Sequence, residues 1–118
     1  MAERRWRVRL GAAAELDFAN ILRWTTENFG VRQSRVYRDT LVQAIGELAD
    51  GPNVAGSKAR DEIIAGFRTL HVARRGRRGS HFLMYRAAPN STIEIVRILH
   101  DRMDLRRHVP SGPDDSTE

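Results

Sequence analysis

The chain has 118 residues, no cysteine, and a formal net charge of +5, a length that suits one domain and not two. Without cysteine, disulfides and thiolate metal sites are excluded, which fits a reducing compartment. No apolar run approaches the ~20 residues of a membrane span, and the opening "MAERRWRVRL" lacks the apolar middle of a signal peptide, so a cytoplasmic protein with no membrane association is expected.

Lys58 is the single lysine among the twenty basic residues; the rest are arginine. Arginine makes bidentate contacts to carboxylate and phosphate that lysine does not. The excess therefore points to an acidic protein partner or a nucleic acid, unless codon bias alone produced it.

In chain order, "WRVRL" (Trp6 to Leu10) alternates apolar and basic, the period of a half-buried strand. From Ala12 the period becomes helical: Phe18, Ile21, Leu22, Thr25 and Phe29 form one stripe. Asn28-Phe29-Gly30 ends that helix, with Gly30 supplying a left-handed residue. Tyr37, Leu41, Ala44, Ile45 and Leu48 repeat the spacing until Asp50-Gly51-Pro52 stops it. So short a link makes the two helices an antiparallel hairpin.

Gly51 to Gly66 has no period and reads as a connecting loop. Phe67 to Ala73 and His81 to Ala87 are strand-like. "RRGRRG" (Arg74 to Gly79) joins them as a hairpin tip, with Gly76 and Gly79 at positive φ. Pro89-Asn90-Ser91 turns the chain into a last strand rich in isoleucine, valine and leucine. That strand runs without a turn signal into "HDRMDLRRHV". The tail 110–118 is polar and expected to be disordered.

These elements predict an α+β fold in order β-α-α-β-β-β. The helical hairpin covers one face of a small antiparallel sheet and leaves the other open, and a short C-terminal segment follows the last strand. Residues 1–109 form the single domain.

The four histidines show no metal-binding spacing, and no phosphate loop joins a strand to a helix. Neither a metal nor a cofactor is expected. Metal-free RNA cleavage needs a base, an acid and cations at the phosphate. Arg68, Arg86 and Arg97 are the candidate cations, with His100 or Tyr85 as proton carrier. In an uninterrupted strand, however, Arg97 shares a face with Ile93 and Ile95, while His100 falls on the opposite face with Val96 and Ile98. Arginines that rim the sheet and bind carboxylates or water are favoured over that site. Trp24 is either a core residue or an exposed anchor for a partner. The "RRGRRG" tip either grips phosphate or is simply solvated, and the second is favoured.

"GSKARD" before the second strand, "AGFRTL" on it, "SHFLMYR" on the third and "IEIVRILHDRMDLRRHV" at the end resemble the ParE toxins of bacterial toxin–antitoxin modules. The likeness runs from the first strand to about His108. The superfamily, RelE/ParE, has the fold predicted above. The resemblance implies a toxin that poisons DNA gyrase by binding, with no catalysis. It also implies a ParD antitoxin, through which the complex binds operator DNA and whose tail folds over the toxin; the arginine excess and the open sheet face predict that this tail is acidic and amphipathic. Target contacts are then expected from Arg97, His100, Asp101, Met103 and Asp104, and antitoxin contacts from Trp24, Arg68 and Arg86.

The alternative implied by the same superfamily is a RelE-like ribosome-dependent endoribonuclease using Arg68, Arg86, Arg97 and His100. No tyrosine follows Tyr85, and the second strand lacks the lysines expected of such nucleases. A third reading keeps antitoxin binding without toxicity.

Overall fold

A computed structural model describes residues 5–107. The expectations for His108, Val109 and the tail 110–118 lie outside the described residues. The elements are β1 (Arg7–Leu10), α1 (Ala12–Phe29), α2 (Val31–Glu47), a 3-10 turn (Leu48–Asp50), β2 (Lys58–Ala59), β3 (Phe67–His71), β4 (His81–Ala88), β5 (Thr92–His100) and a second 3-10 turn (Leu105–Arg107). The α+β class and element order are as the sequence predicts, except for the added strand β2. Among the described residues, no helix is long and apolar enough to cross a membrane.

Gly30 alone links the helices, at φ +94°, and its N–H closes α1 on the Thr26 carbonyl. An L-residue with a Cβ would be strained there. Ser34 on α2 donates to the Leu22 carbonyl of α1, tying the hairpin across its seam.

The sheet has five strands in the order β1-β5-β4-β3-β2, and it is mixed, not wholly antiparallel. β3, β4 and β5 form the expected antiparallel meander, but β1 runs parallel to β5. β1 and β3 consequently point the same way. The connection from α2 must therefore carry the chain back along the sheet before β3 can start. On that return path Lys58–Ala59 pairs antiparallel with β3, so the connecting segment contributes an edge strand that its composition hides.

Ala14, Leu41, Ala44 and Leu48 of the helical layer pack on Leu70, Val72, Leu83, Tyr85, Ile93, Ile95 and Ile98 of the sheet. The other face is less open than predicted. Phe67, Met84 and Leu99 are buried there beneath Ile64, Val96 and Leu105. The 60–66 loop and the C-terminal 3-10 turn thus close over apolar surface that would otherwise remain wet.

β5 is not uninterrupted. Met84 pairs with Arg97 while Tyr85 pairs with Ile95, so Val96 is the extra residue of a β-bulge. The bulge reverses the parity: Ile98 joins Ile93 and Ile95 on the helix-facing side, and His100 follows Ile98 there. Gly79 also differs from expectation. The positive-φ positions in that hairpin are Arg75 and Gly76, whereas Gly79 is required by close approach, as described next.

Candidate functional site

The amphipathic stripe of α1 contains more apolar residues than the sheet covers. Trp24 and Phe29 remain 57% and 64% exposed and stack edge-on at 5.7 Å. They form one wall of a groove of about 780 Å³ between the helical hairpin and the ends of β4 and β5. Met103, 45% exposed, stands on the groove's rim and does not tuck into the core. Trp24 is therefore an exposed residue and not a core one. Leu105 is the apolar residue of the terminal segment that turns inward.

Tyr37, His81 and His100 form the polar part of this groove. Tyr37 reaches β4 from α2 because Gly79 has no side chain: a Cβ there would lie 2.5 Å from Val72 Cγ2 and 3.2 Å from the Tyr37 hydroxyl. The Ser80 N–H donates to that hydroxyl at 3.0 Å, and the hydroxyl lies 2.6 Å from His81 Nδ1. Burial pushes the Tyr37 phenol up from its ordinary value. Burial, helped by the nearby His100, lowers His81 to about 4, so His81 is neutral at pH 7. The bulge makes His81 and His100 cross-strand partners, with ring centroids 5.3 Å apart. The Arg102 N–H donates to His100 Nδ1 at 3.1 Å.

The arginines singled out from sequence do not converge. Arg97 is bound bidentately by Asp17 of α1, at 2.8 and 3.0 Å, and that hydrogen bonding raises its pKa. Asp17 also accepts the Ile98 N–H at 2.8 Å. β1 ends at Leu10, so α1 supplies the acceptor that the exposed edge of β5 lacks beyond that point. Arg86 is on the second face, paired with Glu94 at 2.9 Å and stacked over Phe67. Arg68 donates to Ser57 Oγ at 2.8 Å, while its Nε is sealed from solvent without a partner.

In the terminal segment, Asp101 accepts from His71 Nε2 at 2.9 Å. That hydrogen bond holds its carboxyl below the usual range. Asp104 accepts the Arg106 backbone N–H at 3.0 Å. The two carboxylates pin the turn through His71 and a backbone N–H. Of the five residues expected to touch a target, His100 and Met103 meet in the groove. Arg97, Asp101 and Asp104 are held by the fold. Among the described residues, no cluster of three His, Asp or Glu side chains is placed to hold a metal.

Sequence reasoning missed Tyr37, His81 and Asp17 as participants. The His81–His100 pairing was out of reach because a regular hairpin through Pro89–Ser91, in which Ala88 faces Thr92, would place Leu99 opposite His81.

A family model described as "ParE toxin of type II toxin-antitoxin system, parDE" matches residues 8–105. The chain is 37% identical over 100 residues to Toxin ParE1 of Mycobacterium tuberculosis, covering 85% of this chain and 94% of that one. Its fold matches that of a structure titled as the chromosomal ParDE TA system from P. aeruginosa. The TM-score is 0.66 at 18% identity, covering 83% of this chain and 98% of that one. A structure of the toxin–antitoxin complex RelBE2 from Mycobacterium tuberculosis matches with a TM-score of 0.56 at 22% identity, covering 84% and 94%. At such identities these structures speak for the fold alone.

Proposed function

The chain belongs to the ParE toxin family of type II toxin–antitoxin systems, and from that premise we propose that it inhibits DNA gyrase by binding and is neutralised by a ParD-like antitoxin. The observation that carries the binding mode is the condition of the arginines. A phosphoryl-transfer site needs cations aimed at one point where charge develops. Arg68, Arg86 and Arg97 engage Ser57, Glu94 and Asp17 respectively, in three different places. The fold itself does not decide between the gyrase and RNase readings, since ParDE and RelBE2 structures both match it.

The antitoxin's apolar helix occupies the groove walled by Trp24 and Phe29, and its acidic residues meet the arginine-rich surface. The complex reaches operator DNA through the antitoxin, and the toxin acts in the cytoplasm, where gyrase works. Trp24 supports the first contact: an exposed aromatic on a groove wall is a typical interface anchor.

Induction of the chain without its antitoxin tests the function. Growth arrest with a DNA damage response and intact bulk mRNA is expected. Rapid mRNA cleavage would transfer the assignment to the RelE-type nuclease, and unimpaired growth to an antitoxin-binding domain without toxicity.

A further inference from the structure

We propose that the groove receives a carboxylate, held by the Nε2–H groups of His81 and His100. Only the bearer of that carboxylate rests on the toxin–antitoxin reading: it is an acidic side chain on the otherwise apolar antitoxin helix.

The hydrogen-bond network assigns the tautomers. The Tyr37 hydroxyl accepts the Ser80 N–H, and we assign its own hydrogen to His81 Nδ1, 2.6 Å away. A neutral imidazole that accepts at Nδ1 carries its hydrogen on Nε2. His100 reaches the same state separately, because the Arg102 N–H donates to its Nδ1. Asp101 Oδ1 lies 3.5 Å from that nitrogen, farther than the amide. His71 provides the internal comparison. It too accepts at Nδ1, from the Ala73 N–H, and its Nε2–H is given to the Asp101 carboxylate. Three histidines thus share one tautomer, and one of them has its acceptor.

His81 and His100 make no Nε2 hydrogen bond within the protein among the described residues. His81 Nε2 is not sealed either, since Arg68 Nε is the buried side-chain atom without a partner there. Both rings line the groove. Two N–H donors on rings whose centroids lie 5.3 Å apart, in a groove lined by Ile21, Trp24 and Phe29, can each take one oxygen of a carboxylate on an apolar stem. A carbonyl oxygen can accept both hydrogens but lacks the charge that strengthens the two bonds, and a phosphate brings more charge than these apolar walls would solvate.

The groups facing His81 are Tyr37 from α2, His100 from β5, His71 from β3, Asp17 from α1 and Asp101 after β5. Asp17 and Asp101 are engaged by Arg97 and His71, so neither occupies the site.

Long-range imidazole ¹⁵N–¹H NMR on the intact chain tests the site with phenylacetate as probe and 2-phenylethanol as its neutral counterpart. Both rings should carry hydrogen on Nε2 near neutral pH. Phenylacetate should shift His81 and His100 but not His71, and bind on the order of tenfold more tightly than 2-phenylethanol. His100→Phe should abolish that preference while 2-phenylethanol still binds. Hydrogen on Nδ1 of either ring, or equal binding of the two probes, would overturn the proposal. The assay involves neither gyrase nor antitoxin, so a chain that arrests growth through gyrase yet ignores phenylacetate refutes this site alone.

Discussion

Asp17→Ala removes three hydrogen bonds from one point: two to the Arg97 guanidinium and one from the Ile98 N–H. Ile98 is 3% exposed, so its amide cannot turn to water, and an orphaned buried donor costs about 1–3 kcal/mol. Arg97 is partly exposed and can be rehydrated, so the lost ion pair adds only about 1 kcal/mol. The expected loss is about 2–4 kcal/mol, a large share of a small domain's ~5–15 kcal/mol. It should lower the melting temperature by ~10–20 °C. Asp17→Asn keeps an acceptor for the amide and should lose roughly half as much. Urea unfolding followed by circular dichroism at neutral pH measures both. A loss below about 1 kcal/mol for Asp17→Ala would show that water caps this edge of β5 as well as Asp17 does.

His81 is held neutral by burial, with its pKa lowered from 6.5 to about 4. The unfolded chain therefore binds the extra proton first, and stability should be full above pH 6.5 and fall as pH drops toward about 4; His81→Gln should flatten that slope in a pH series of unfolding curves. Gly79→Ala drives a methyl into Val72 and Tyr37 and should cost about 1–3 kcal/mol. Gly76→Ala meets open space but a positive φ and should cost about 1 kcal/mol; paired thermal melts compare the two. Leu105→Ala uncovers Phe67, Met84 and Leu99 and should cost about 1–2 kcal/mol. Met103→Ala at the groove's rim should cost under about 0.5 kcal/mol and register instead as weaker antitoxin binding in calorimetry.

The helical stripes and the glycine and proline punctuation made the α+β order readable, because each is a local property. Three features were not local. β1 parallel to β5 and the β2 edge follow from where the long connection must deliver the chain. The bulge at Val96 leaves no composition signal, yet it carries Ile98 and His100 to the helix side and so builds the groove. The closure of the second face depends on Ile64 and Leu105 docking from segments that have no period of their own. The junction between the core strand and the titratable "HDRMD" run lies beside the groove, which His100 and Met103 line. It did not reveal that Tyr37 and His81, far apart in sequence, would join His100 there.

The most direct test of the account is a supercoiling assay with purified gyrase and the purified chain. Increasing chain concentration should suppress supercoiling and accumulate gyrase-cleaved DNA, and the cognate antitoxin should reverse both. Uninhibited supercoiling, together with cleavage of mRNA on added ribosomes, would contradict it.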